Sequence, residues 1–276
     1  MIRLAVSNIA WDVSEDSEVA VLLRKYQIDA IDIAPGKYFP QPLEATLDDI
    51  LAVKQWWENH GISITGMQAL LFGTSGLNLF GGSSVQDEML RHLDAVCRIA
   101  AGLGATRLVF GSPKNRDRTG LTDKQALDIA VPFFRRLGDI ASLHGVTVCL
   151  EPNPRCYGAN FMTTTLDTAE VVRSIAHSAI KMQLDTGAIV INQESIDDIL
   201  FDSAGLIGHI HASEPALAPL GDLDTNHREI SKALRKYNVY SPISIEMLAT
   251  KDEPHLASIE RAICCAIDCY RCGESE

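Results

Sequence analysis

Long apolar runs are missing from this chain: no window comes near the roughly 18 uninterrupted apolar residues that a membrane-spanning helix needs. The opening stretch MIRLAVSNIAWDVSED lacks the apolar core and the small-residue cleavage site of a secretory leader. Together these absences lead us to expect a soluble, cytoplasmic protein with no membrane partner. Positive charge is also scarce, with 24 Lys and Arg against 36 Asp and Glu and a formal net charge of −12. A nucleic-acid backbone is attracted by clustered basic residues, so nucleic acid is disfavoured as a partner. The seven cysteines cannot all pair within one chain, and their irregular spacing does not resemble a secreted disulfide framework. Reduced thiols are expected. Four of them, Cys264, Cys265, Cys269 and Cys272, fall in AICCAIDCYRC, where Cys269 and Cys272 have the spacing of a zinc pair. No second ligand pair accompanies them, and small apolar positions on a final helix are the simpler reading. No Ser- or Pro-rich linker divides the chain, and no G-x-G-x-x-G follows its first apolar run to suggest a dinucleotide site.

What is present is an alternation. Eight short apolar or β-branched runs, at 2–7, 30–34, 62–68, 107–111, 146–151, 180–185, 206–211 and 243–247, are separated by longer segments with apolar residues three and four apart. TLDDILAVKQWWENHG, VQDEMLRHLDAVCRIAAGLG and DKQALDIAVPFFRRLGDIASLHG are examples, each closed by the Gly that favours a helix C-terminus. Eight units in 276 residues give about 34.5 residues each, the size of a strand, a helix and two loops. The pattern predicts an α/β fold, a (β/α)8 TIM barrel formed by residues 1–276 as a single domain.

The strand ends carry the chemistry. VTVCLE ends at Glu151, IKMQLD at Asp185 and LIGHIH at His211, and ISIEM carries Glu246 near its end. Each is separated from the next by about one βα unit, so all four return to the same mouth of the barrel, where barrels of this kind place their active sites. Three like charges in a partly dry pocket repel unless protonated or neutralised, and a divalent cation resolves the conflict. Three hard carboxylates and an imidazole suit Mn²⁺ first, with Mg²⁺, Co²⁺ or Zn²⁺ as alternatives. His209 lies two positions before His211 on the same side of its strand, one layer deeper, and is expected to support the site from beneath.

In LEPNPR, QLDTG, HIHASEP and SIEM the chain resembles the xylose isomerase-like barrels, and among them the sugar phosphate isomerase/epimerase group that includes ketose 3-epimerases and inosose dehydratases. The likeness spans essentially the whole chain. It implies metal ligation by Glu151, Asp185, His211 and Glu246. It also implies that Glu151 and Glu246 exchange a proton at a substrate carbon, one from each face. The substrate class it implies is a sugar, a sugar phosphate or a related polyhydroxy carbonyl compound, a small-molecule partner; a homo-oligomer is left open. The chain departs from the ketose epimerases at three points. Pro154, Arg155, Cys156 and Tyr157 stand where a second glutamate is usual, Ala188 stands in place of a histidine, and Leu217 in place of an arginine. Altered substrate contacts are therefore expected.

Further polar candidates cluster near strand ends. Lys114, Asn115 and Arg116 in GSPKNRDR form the most basic loop, where Lys114 and Arg116 could hold an anion, although a solvated loop is the simpler reading of so short a charge run. Gln68, Asn153, Arg155, Tyr157, His209 and Glu214 are candidate substrate contacts. His227 is expected at the start of the seventh helix, capped by Thr225 or Asn226, and Trp11 is expected in the core rather than as a sugar platform. Three other functions compete with the isomerase or epimerase. A dehydratase uses the same acidified C–H. An endonuclease-like hydrolase is opposed by the charge and by the absence of histidines in DIAPG and GMQAL. A binding barrel without catalysis is the last.

Overall fold

The apolar runs pair into a closed ring of parallel strands in the computed structural model, which describes residues 2–271. In chain order they are β1 (Leu4–Ser7), β2 (Ala30–Ile33), β3 (Ser63–Met67), β4 (Arg107–Phe110), β5 (Thr147–Leu150), β6 (Ile180–Asp185), β7 (Ile207–Ser213) and β8 (Ile243–Glu246). Each pairs with its successor, and β8 closes on β1 with Leu4 opposite Ile243. All eight strands fall where the sequence pattern places them. The largest difference is at β7, which runs two residues past His211 to Ser213. A fully parallel closed sheet has no edge to protect and is covered on its outer face by helices, which is why its strands read as apolar runs rather than alternating ones.

The helices are α1 (Asp16–Lys25), α2 (Leu47–Asn59), α3 (Ser83–Leu103), α4 (Asp123–Leu143), α5 (Thr165–Ile175), α6 (Thr186–Asn192), α7 (Ile196–Ser203), α8 (His227–Lys236) and α9 (His255–Ala266). Their local signals are physical. Thr46 and Thr122 cap α2 and α4 and close capping boxes with Asp49 and Gln125. α3 buries Met89, Leu93, Val96, Ala100 and Leu103, a stripe at four- and three-residue steps, and ends on Gly104 at φ +86°. Cys265 and Cys269 lie on and just beyond α9, while Cys272 is outside the described residues. Among the described residues no helix is long and apolar enough to cross a membrane.

Register decides what meets at the mouth. Asp185 lies opposite His211, and Ser213 lies opposite Glu246. Outside the ring, Phe110 of β4 packs edge-on to Phe134 of α4 with ring centroids 5.3 Å apart, and Phe133 and Phe134 are themselves 5.4 Å apart. All three rings are buried. Phe134→Ala should therefore cost about 3–5 kcal/mol, seen in urea unfolding as a lower midpoint at unchanged slope; a loss below about 1 kcal/mol would show that this helix–barrel seam can collapse.

Candidate metal centre

Glu151 follows β5 directly, Asp185 ends β6, His211 lies within β7 and Glu246 ends β8. Four neighbouring strands thus bring four side chains together, with one potential ligand atom from each lying within 4.8 Å of all the others. His211 Nδ1 is 3.3 Å from Glu151 Oε1 and 3.1 Å from Glu246 Oε2. His211 is fully buried, and Glu151, Asp185 and Glu246 are each 9% exposed or less.

The remaining oxygens are not free to wander. Asp185 has both of its oxygens engaged, Oδ1 by the Ala188 backbone N–H at 2.6 Å and Oδ2 by the Ser213 hydroxyl at 2.9 Å. Each glutamate has one oxygen held by an amide. Gln68 Nε2 donates to Glu246 Oε1 at 2.6 Å, and Asn153 Nδ2 donates to Glu151 Oε2 at 3.3 Å. The other oxygen of each faces the centre, and Glu151 Oε1 is buried there with no hydrogen-bond donor. Gly111 makes this possible, because a Cβ at that position would lie 1.9 Å from Glu151 Oε2.

Electrostatics mark the same centre. Burial, followed by the charges of Glu246 and Glu151, pushes the Asp185 carboxyl up to about 8. Burial works to lower the His211 imidazole, but the charge of Glu246, the close approach of both glutamate oxygens to Nδ1 and the charge of Glu151 raise it well above the ordinary histidine value. Burial alone would raise Glu246; the charge and hydrogen bond of His211 and the Gln68 amide hold it below the usual carboxylate range. Protons at Asp185 and His211 thus do, in part, what a divalent cation would do. An orphaned inward oxygen on Glu151, hard carboxylate donors and one imidazole fit such a cation.

Beneath the centre lies a second polar layer. His209 Nε2 is 2.6 Å from Asp32 Oδ2, both are buried, and the His209 ring stands edge-on to that of His211 with centroids 5.2 Å apart. His209 lies in the deeper layer that the sequence pattern predicts, and as a candidate substrate contact it lines neither lobe of the mouth; Asp32 is a partner the pattern does not predict. The one signal was an acidic residue inside the otherwise apolar AIDIA run. Gly66 leaves room for it, since a Cβ there would sit 2.5 Å from Asp32 Oδ1.

The other candidates divide. Gln68, Asn153 and Lys114 line a cavity of about 520 Å³ at the mouth together with Glu151 and Glu246. Tyr157 lines an adjoining lobe of about 100 Å³ with Asp185, and its hydroxyl accepts from the Ala216 N–H at 2.6 Å. Arg116 does not project into the mouth as an open anion fork. It is fully buried, with its guanidinium bonded to the Glu151 carbonyl oxygen at 2.7 Å and to Asn153 Oδ1, and burial lowers it to about 10. Arg155 is exposed and lines a separate groove with Arg118 and Asp167. Glu214 borders the small lobe, but its carboxylate is committed to the loop before α8, accepting from the Gly221 N–H and the Thr225 hydroxyl and lying 3.3 Å from His227 Nε2. His227 opens α8 behind the Asn226 cap and bonds the Tyr270 hydroxyl at 2.8 Å. Trp11 is fully buried, with its indole N–H on Asp16.

A barrel of neighbouring-strand carboxylates and histidine defines a class, and comparison gives it a family. The model of the xylose isomerase-like TIM barrel matches residues 21–264, so the chain belongs to that family. A search of curated proteins by sequence returns no match. Among solved structures, D-psicose 3-epimerase with D-tagatose from Clostridium cellulolyticum H10 superposes with a TM-score of 0.80 at 18% identity, covering 98% of each chain. The 3-keto-D-glucoside 4-epimerase of E. coli gives 0.77 at 16% identity over 96% of this chain and 100% of its own. The IolI protein with a bound zinc atom gives 0.75 at 18% identity over both chains in full.

The protonated state of the centre carries a sign. Asp185 is raised from 3.8 to about 8, so its proton stabilises the cation-free fold fully below about pH 3.8, and that contribution is lost as pH rises through 8. His211, also raised, acts in the same direction. A cation must displace both protons. Mn²⁺ should therefore bind at least about tenfold more tightly at pH 8 than at pH 6 and release protons on binding, measured by calorimetry in buffers of different ionisation enthalpy. Affinity that does not change with pH would contradict these proton positions.

Proposed function

We propose that this protein is a divalent-metal-dependent sugar isomerase or epimerase, in which Glu151 and Glu246 move a proton at the carbon beside a carbonyl of a polyhydroxy substrate. One observation carries the reading. Of the four side chains at the centre, the two glutamates face both the outer cavity and its inner lobe, whereas Asp185 has both oxygens engaged and His211 is fully buried. Glu151 comes from the end of β5 and Glu246 from β8, three strands around the ring, so they approach a common point from different sides. The similarity to structures of a sugar 3-epimerase and a sugar 4-epimerase supports the same class of reaction.

Glu151, Asp185, His211 and Glu246 would hold the cation, Mn²⁺ by the balance of hard ligands. When bound, it would polarise the substrate carbonyl and so acidify the neighbouring C–H. The chain's own residues do the rest. Asp185, fixed by Ala188 and Ser213, keeps its charge in place. Gln68 and Asn153 orient the glutamates, so that one carboxylate can accept a proton while the other, protonated, returns one from the opposite face. Arg116, bonded to the Glu151 carbonyl oxygen and to Asn153, holds the main chain of that glutamate in place.

Solvent-deuterium incorporation across a panel of ketoses, sugar phosphates, inososes and keto-glycosides with Mn²⁺ supplied tests this assignment. Glu246→Gln and Glu151→Gln should each slow exchange by about 10²–10⁴-fold while keeping metal, since an amide still offers an oxygen but cannot accept the proton. His211→Ala should fail through metal loss, with partial recovery at high Mn²⁺. Wild-type exchange in both Gln variants with metal bound would move the acid and base to other groups.

A further inference from the structure

The two lobes of the mouth differ in chemistry as well as in size. The inner one, about 100 Å³, borders Asp185 and both glutamates, space for a few oxygens at roughly 30 Å³ per water-sized group. The outer one, about 520 Å³, shares Glu151, Asn153, Leu217 and Glu246 with it and then runs out along Ile9, Ala69, Phe72, Val109 and Leu248. That volume lies in the ~300–1,000 Å³ range of sites that hold drug-sized molecules, well beyond what the oxygens at the centre need. Its two lysines are already occupied. Lys37 donates to the Asn8 carbonyl at 2.7 Å and to that of Trp11, and Lys114 donates to Thr74 O at 3.2 Å. A free sugar has hydroxyls around its whole perimeter, and an apolar wall leaves those it touches unpaired.

The apolar wall is built, not incidental. Phe72 is 79% exposed and stands at the end of a tight turn whose N–H bonds Ala69 O, with Ala69 in the left-handed region at φ +53°. Ala216 and Leu217 are also left-handed, at φ +58° and +54°, a costly conformation for residues with a Cβ. It is held by Tyr157, whose hydroxyl accepts from the Ala216 N–H, and by Leu248, whose N–H donates to Leu217 O at 3.0 Å. Leu217 lines both lobes and so stands at their junction.

We infer that the substrate is a conjugate: an oxygenated head at the metal centre joined to an apolar, ring-sized substituent lying in the outer cavity against Phe72, Leu217 and Leu248. This rests on the proton-transfer reading for the head alone. The test compares phenyl with methyl 3-oxo-β-D-glucopyranoside, titrated into the Mn²⁺-loaded protein by calorimetry. The phenyl compound should bind at least about tenfold more tightly, through the apolar area that its ring removes from water. Phe72→Ala and Leu217→Arg should each cut the phenyl-to-methyl ratio at least about threefold; both positions border solvent or the cavity, and circular dichroism checks that the variants fold. Equal affinity for the two compounds, no binding of either, or a ratio unchanged in both variants would overturn the inference. Deuterium exchange, measured separately on the same compounds, distinguishes the two claims. Tight phenyl binding without exchange removes the proposed reaction and leaves the conjugate, whereas exchange without phenyl preference does the reverse.

Discussion

Three carboxylates and an imidazole crowded into a buried space are the constraint to which the rest of the mouth answers. Two unit charges 4 Å apart at an effective dielectric of about 20 interact by about 4 kcal/mol, so Glu151, Asp185 and Glu246 cannot all ionise together without compensation. Part of it comes from the raised affinity of Asp185 and His211 for protons. Part is fixed dipoles: the Ala188 N–H, the Ser213 hydroxyl and the amides of Gln68 and Asn153 each meet one carboxylate oxygen. What these donors leave unmet is the inward oxygen of Glu151, which a cation at the centre would satisfy.

The scaffold supports that arrangement at two depths. Below it, Asp32 and His209 form a buried pair in the barrel interior that braces His211. Beside it, Arg116 ties the Glu151 backbone to Asn153, so the residue that orients the glutamate side chain is itself anchored to the glutamate main chain. Glycines supply the clearance. Gly111 admits the Glu151 carboxylate and Gly66 admits that of Asp32, two places where even a methyl group would meet an oxygen. The outer cavity is under a different constraint, for its wall is apolar and its turns are strained at Ala69, Ala216 and Leu217.

The barrel is legible because its signals are local and repeat: eight apolar runs alternate with helical stripes, three of which close on a left-handed glycine, Gly61, Gly104 or Gly145. The centre is legible because carboxylates and a histidine at strand ends recur with the same period, which groups Glu151, Asp185, His211 and Glu246 from the sequence alone. Side-chain direction was not legible. Arg116 reads as an exposed loop cation, but its loop folds back so that the guanidinium caps the β5 end; Glu214 reads as part of the site, but a carboxylate one residue past a strand can turn either way, and here it turns to Thr225 and His227. Asp32 was hidden because its partner lies 177 positions away, a separation that no local pattern reports.

Whether one divalent cation sits among these four side chains can be read from anomalous diffraction by crystals equilibrated with Mn²⁺. A single strong manganese peak within about 2.0–2.3 Å of Glu151, Asp185, His211 and Glu246 oxygen or nitrogen atoms is expected, lost in His211→Ala crystals. A manganese peak elsewhere, or none at the centre with the wild-type side chains in place, would contradict it.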